Sequence, residues 1–292
     1  MEFGMILVDF SQVMISNIMM QLANNEKQLD EEMVRHMVLS SLRLYKKKFG
    51  DEYGDLVICC DGYSYWRRDV FPHYKAARRK SRDKSPHDWN VIFTSLNKIR
   101  DEMRDNMPYT TLRFEKAEAD DIIGAICNAR GSFLNTAERI LIVSGDKDFM
   151  QLQQYGNITQ YSPVMKKFIT PDVNPARFKQ YHILQGDAGD GVPNFLSDDD
   201  TFVVEGKRQK PLPKKKLEEW TLMEYATYCT TPGMLSNYER NRVMVDFDYI
   251  PQNLQKEIVE SYENYKRLPR SKILDYFIKN RLRTLTEAIG EF

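Results

Sequence analysis

The sequence predicts an α/β fold: a central, mostly parallel sheet flanked by helices, followed by a smaller, mainly helical C-terminal region. Three observations carry this. Continuous apolar runs recur at residues 5–8 (MILV), 56–60 (LVICC) and 140–143 (ILIV), and such runs suit strands buried on both faces of a parallel sheet. Helical patterns lie between them, over residues 29–47, 92–103 and 118–129; strand alternating with helix is the mark of a layered α/β domain. Each run also ends near an acid: Asp9 and Asp61 directly after the first two, and Asp146 beyond Ser144 and Gly145 after the third.

The first strand is read from MILV, the second from LVICC and the third from ILIV. Between the second strand and the next helix, residues 62–89 break the alternation. This stretch holds Tyr63, Tyr65, Trp66, Phe71, Tyr74 and Trp89. From Ser64 to Lys84 it carries eight Lys or Arg against two Asp, a local balance of +6. A connection this long is more often functional than filler. Beyond a Gly/Asp-rich loop (GDAGDGVP) the pattern changes again. Residues 207–216 hold six Lys or Arg and no acid, and Pro211 and Pro213 disfavour a continuous helix there. The boundary is placed near residue 185, giving an α/β domain over 1–185 and a mainly helical one over 186–292.

Composition narrows the class. A chain of 292 residues holds one large domain, or one with a smaller partner, and buries a core without disulfides. Lys plus Arg equals Asp plus Glu at 42 each, so any nucleic-acid affinity must come from the distribution of charge, not its sum. Cys59, Cys60, Cys127 and Cys229 form no CxxC pair, which excludes a zinc ribbon. The adjacent Cys59 and Cys60 read as buried free thiols of a reducing compartment. Glu2 stands where a secretory signal would carry Lys or Arg, and no apolar run approaches the roughly 18 residues of a membrane span. A cytoplasmic protein with no membrane role is expected.

Ligands of open α/β sheets bind beyond the carboxyl ends of the strands. If the three strands are neighbours, Asp9, Asp61 and Asp146 converge there. Asp148 follows closely, Glu118, Asp120 and Asp121 open a helix in KAEADD, and Asp187 and Asp190 lie in the Gly/Asp loop. Taken singly, helix-start acids complement the helix dipole and an Asp after a strand is a turn residue. Independent turn residues have no reason to recur at three successive strand ends. Like charges about 4 Å apart cost about 1 kcal/mol even in water, so grouped carboxylates protonate or take up cations. Magnesium accepts a few carboxylates and keeps its waters, and two such ions roughly 4 Å apart clamp an in-line displacement at phosphorus. The adjoining basic and aromatic segment narrows the substrate: Lys and Arg hold a phosphate backbone, and rings stack on unpaired bases. There is no GxxxxGK[ST] P-loop and no G-x-S-x-G elbow. His36, His73, His87 and His182 show no metal-ligand spacing.

The strings VDFS, CCDGYSYWRRD, YKAAR, KAEADD, SGDKDFMQL and LQGDAGDGV occur in this order. Together they resemble the flap endonuclease or 5′-nuclease superfamily, and within it the phage ribonuclease H branch. DFDYIP and the chain end at Phe292 extend the resemblance over nearly the whole length. It implies an arch, about residues 62–89, over the active site. It also implies a two-magnesium centre, with manganese able to stand in. Asp9, Asp61, Asp120 and Asp146 would serve one metal region; Asp148 and Asp190 would serve the other, with Asp187 and Glu118 nearby or acting through water. Lys75 and Arg78 match the arch-base residues that steer and polarise the scissile phosphate, with Asp146 also counted as catalytic. Arg67, Arg68, Arg79 and Lys80 would hold the strand, Tyr74 would stack on the displaced end, and Lys214 and Lys215 would meet the duplex. The implied activity is 5′ exonuclease and flap cleavage of DNA–DNA and RNA–DNA duplexes, removing RNA primers and adjacent DNA during replication. A monomer working with a single-stranded-DNA-binding protein and a sliding clamp in the host cytoplasm is implied as well. Two rivals are a single-strand ribonuclease, marked by cleavage without duplex preference, and a non-catalytic junction scaffold, marked by binding without cleavage. A phosphatase is weaker, since Ser11 stands where a second Asp is needed.

Overall fold

The structure, a computed structural model, describes residues 4–24, 30–132 and 138–292, without the side chains of residues 24 and 79–81. In chain order the elements begin β1 (Met5–Asp9), α1 (Phe10–Asn24), α2 (Glu31–Tyr53), β2 (Asp55–Cys60), α3 (Trp66–Val70), α4 (Ala76–Asp83) and α5 (Trp89–Asn106). Then come β3 (Thr110–Arg113), α6 (Ala119–Arg130), β4 (Ile140–Val143), a 3₁₀ segment (Lys147–Gln154), β5 (Ile158–Ser162), β6 (Lys167–Ile169) and α7 (Pro175–Gln185). The remainder is helical: α8 (Lys214–Trp220), α9 (Tyr225–Tyr228), α10 (Pro232–Val245), α11 (Gln252–Glu263), α12 (Ser271–Lys279) and α13 (Arg283–Glu287).

The six strands run in the order β3-β2-β1-β4-β5-β6. All neighbours are parallel except β6, which returns antiparallel on β5. The apolar runs became the three central strands, and period-two alternation sorts their side chains between two cores. Ile6, Val8, Leu56, Ile58, Cys60, Leu141 and Val143 face a cluster with α1, α2 and α5. Met5, Leu7, Val57, Cys59, Ile140 and Ile142 face the opposite cluster with α6. The four cysteines are free, and Cys59, Cys60 and Cys127 are buried. Among the described residues no helix is long and apolar enough to cross a membrane.

Residues beyond 186 contribute to all three apolar clusters. Phe247, Ile250, Leu254 and Ile258 pack with α6, while Ile273, Tyr276, Phe277, Leu285 and Phe292 complete the face of α2 and α5. The third cluster joins Phe71 and Tyr74 to Ile183 and Leu184 of α7, to Val192 of the Gly/Asp loop and Phe195 just after it, and to Leu217, Tyr228 and Tyr238. It therefore fixes the base of the 62–89 segment against that loop.

Candidate active site

The chain reverses its strand order at β1, with β2 on one side and β4 on the other. Register pairs Asp9 with Cys59 and Val8 with Val143, so the residues leaving β1, β2 and β4 emerge side by side. A crevice of about 370 Å³ opens there, and its walls include Asp9, Asp61, Glu118, Asp120, Asp146 and Asp190. Each carboxylate is held by its own local geometry. Asp9 accepts from the Gln12 N–H (3.2 Å) and from Ser144 Oγ (3.0 Å). Asp61 accepts from the Ala119 N–H at 3.0 Å, tying the end of β2 to the start of α6. Asp146 caps the 3₁₀ segment by accepting from the Asp148 N–H at 3.0 Å.

The acids perturb one another. Burial, then the charges of Asp61 and Asp146, pushes the Asp9 carboxyl up to about 7. Burial and the Asp148 charge push Asp146 up to about 6. Asp120 is raised well above the carboxylate range by burial and by Asp9 and Asp146. Buried oxygen donors that resist ionising together are a poor anion site and a good divalent-cation site. The donor set thus fits a hard metal ion.

Cations face these acids from the 62–89 segment. Lys75 is buried and pairs with Glu118, and its Nζ lies 3.5 Å from Asp190 Oδ2. Arg78 pairs with the other Asp190 oxygen. Tyr74 donates its hydroxyl toward Glu118 Oε2 (2.8 Å) and Asp190 Oδ2 (2.9 Å). Beside the crevice, Asp187 meets Lys147 at 3.1 Å, and Asp148 lies 2.9 Å from His182 Nε2. Burial alone would raise Asp148 and lower His182; their mutual charge reverses both, lowering Asp148 and raising His182.

Residues 5–181 match the family model described as 5′-3′ exonuclease, N-terminal resolvase-like domain, and residues 178–292 match that described as T4 RNase H, C terminal. The Ribonuclease H of Enterobacteria phage T4 is 37% identical over 99% of this chain and 96% of its own length. The chain belongs to the 5′-3′ exonuclease family. A 5′-3′ exonuclease of Buchnera aphidicola is 30% identical over 44% of this chain and 43% of its own length. The bacteriophage T5 flap endonuclease, solved with DNA and metal ions, shares the fold: TM-score 0.62, 17% identity, over 89% of this chain and all (100%) of that one. A second T5 structure, co-crystallised with metal ions, superposes with TM-score 0.59 at 16% identity, over 88% of this chain and 97% of that one.

In this chain, Asp9, Asp61, Glu118, Asp120, Asp146 and Asp190 meet in one crevice, with Lys75 and Arg78 on its wall. Asp148 and Asp187 lie immediately behind, close enough for their charges to act on Asp146. Two residues expected at the strand are placed in the interior. Arg67 is buried and donates to Glu118 (3.1 Å), Asp121 (2.7 Å) and the Met244 carbonyl (3.0 Å), so its charge is paired internally. Tyr74 is also buried, beneath the acids with its hydroxyl committed, so its ring offers no stacking face. Arg68, Lys214 and Lys215 are exposed and lie outside the crevice lining. The side chains of Arg79 and Lys80 lie outside the described residues.

Sequence reasoning missed several contributors. Ser144 and Gln12 bridge the ends of β1 and β4, Gln12 Oε1 accepting from the Gly145 N–H at 3.2 Å. Arg82, Trp89 and Phe93 line the outer crevice. His182 was dismissed on spacing, because the partners that give it meaning come from other elements. A polar Ser directly after an apolar run, and a helical His just before GD, were the available signals.

Proposed function

We propose that this protein hydrolyses phosphodiester bonds at the 5′ ends and flaps of DNA–DNA and RNA–DNA duplexes, using two magnesium ions. The observation that carries this is the convergence of Asp9, Asp61, Asp120 and Asp146 at the β1/β4 switch point, opposite Lys75 and Arg78. Asp9, Asp61, Asp120 and Asp146 would hold one ion and Asp148, Asp187 and Asp190 the other, with Glu118 acting through water. Divalent ions bound there would supply Lewis acidity to the phosphate and to the attacking water. Lys75, fixed by Glu118, presents a cation to charge developing on the scissile phosphate. Arg78, more exposed, reaches the strand from the crevice rim. Arg68 and Arg82 extend this basic track, and Lys214 and Lys215 offer phosphate contacts to the duplex. The T4 and T5 relatives, a ribonuclease H and a flap endonuclease solved with DNA, support this substrate class. A replicative role in primer removal, as a monomer alongside a single-stranded-DNA-binding protein and a sliding clamp, belongs to the same proposal.

The test is substrate comparison. A labelled strand is offered as single strand, blunt duplex, 5′-flap duplex and RNA–DNA hybrid, each with magnesium or EDTA. Magnesium-dependent cleavage at the flap junction and from the hybrid's 5′ end is expected, leaving 5′-phosphate and 3′-hydroxyl termini. Equal cleavage of free single strands throughout would contradict structure specificity.

A further inference from the structure

His182 is the one histidine drawn into the acidic region, and its setting differs from that of an ordinary core histidine. It sits in the last turn of α7, buried at 3% exposure. Its carbonyl accepts from the Gly186 N–H at 2.8 Å, and Gly186 turns the chain at φ +67°, which brings Asp187 back beside the ring. Nε2 lies 2.9 Å from Asp148 Oδ1 and 3.7 Å from Asp187 Oδ2. These donor atoms all fall within 4.8 Å of one another. Neither His182 Nε2 nor Asp148 Oδ1 makes an aligned hydrogen bond, although both are buried. Phe178 stacks on the imidazole with ring centroids 6.0 Å apart, holding its plane.

These separations suit a common metal ion. Around a cation with bonds of about 2.1 Å, adjacent ligand atoms stand about 3 Å apart and opposite ones about 4 Å. The imidazole nitrogen, 2.9 Å from one carboxylate oxygen and 3.7 Å from the other, falls in the range set by adjacent and opposite positions of such a shell. The C-terminal end of α7 adds the negative end of its dipole beside these atoms.

We infer that His182 supplies a nitrogen ligand to the second divalent ion, the one assigned above to Asp148, Asp187 and Asp190. This rests on the two-metal reading. Imidazole binds manganese, cobalt and zinc better than magnesium, whose preference is for oxygen. The second position of this chain therefore favours borderline ions, while the first, lined only by carboxylates, does not.

Manganese itself is the probe. Chelator-treated full-length protein is titrated with Mn2+, with binding counted from free Mn2+ by EPR, and the loaded protein is examined by pulsed EPR. Two bound ions are expected, with a ¹⁴N coupling that becomes a ¹⁵N coupling when the histidines are ¹⁵N-labelled. His182→Gln should lose the coupling and weaken the second ion at least about 10-fold, leaving the first ion in place. Absence of nitrogen coupling in the labelled wild type overturns the inference even if that variant folds poorly. Two ions bound without nitrogen coupling, or coupling that survives in His182→Gln, would overturn the inference and leave the two-metal reading standing. No Mn2+ binding would remove both. A histidine that merely pinned Asp148 as a cation would give no coupling.

Discussion

Lys75 and Asp190 are joined through their backbones: the Lys75 N–H donates to the Asp190 carbonyl at 2.7 Å while Lys75 sits at φ 56°. A non-glycine residue in that region stores about 1–3 kcal/mol of strain. The strained turn locks the base of the 62–89 segment to the Gly/Asp loop and carries the Lys75 ammonium to Glu118 and Asp190. Gly191, at φ +78°, lies alongside, where an added Cβ would come 3.1 Å from the His73 carbonyl.

From this contact follows a paired prediction. Lys75→Ala and Lys75→Gly should both lower single-turnover cleavage by about 10²–10³-fold, as expected when a preorganised charge is lost at the transition state. The glycine variant should nonetheless be the more stable of the two by about 1 kcal/mol, since it relieves the left-handed backbone. Denaturant melts of the two variants give that difference. Equal stability would mean that the turn is not strained.

The crowded acids make metal-free stability fall with pH. Asp9 titrates near 7 and Asp146 near 6 in the fold, against an ordinary 3.8. Between the ordinary and raised values the folded chain binds more protons than the unfolded one, so these groups favour folding less as pH rises. Their contribution declines from about pH 4 and its loss is complete above about pH 7. In EDTA, the Tm advantage of Asp9→Asn over wild type should therefore grow between pH 5 and 7.5. Added magnesium should raise the wild-type Tm most at the upper end of that range.

Arg67 and Arg68 are neighbours with opposite fates. Arg67 lies between Glu118 and Asp121 in the interior, and Arg68 is exposed. Arg67→Ala leaves buried carboxylates without their cation and should cost about 3–5 kcal/mol of stability. Arg68→Ala should melt like wild type yet bind flap DNA with a log–log salt slope smaller by about 1. The reverse pattern would restore Arg67 to the strand.

Much of the sheet was legible because its central strands are buried on both faces. Runs such as MILV and LVICC are short, apolar throughout and spaced by helical patterns, which suits buried parallel strands, and the acids at their ends mark the switch point. β3 (TTLR) and β5 (ITQYS) were not seen: they lie toward the sheet edges and mix polar with apolar residues. Asp9, Asp61 and Asp146 were legible through strand-end geometry, while Glu118, Asp120 and Asp190 reach the same crevice from a helix start and the Gly/Asp loop. The fates of Arg67 and Tyr74 were not, because a basic, aromatic string looks the same whether its side chains point into a cluster or out of it. What decides is the third apolar cluster, whose members are spread from Phe71 to Val245. His182 was hidden for the same reason: Asp148 reaches it from another element.

Gly62 illustrates a further constraint behind Asp61. A Cβ there would lie 2.1 Å from the Phe114 carbonyl and 2.5 Å from that of Glu115. Gly62→Ala should displace the Asp61 carboxylate and lower cleavage with only modest loss of flap binding. Wild-type turnover in a folded Gly62→Ala protein would show that Asp61 is not positioned by this approach.

The most direct test of the central claim is single-turnover cleavage of a 5′-flap duplex by wild type and Asp146→Asn, in magnesium and in EDTA. Melting temperature and flap affinity are measured on the same samples. The account predicts that Asp146→Asn melts at or above the wild-type temperature and binds the flap, but cleaves it at least about 10³-fold more slowly. EDTA should silence the wild type. Full cleavage by a folded Asp146→Asn protein, or cleavage by wild type in EDTA, would contradict a divalent-metal centre at the end of β4.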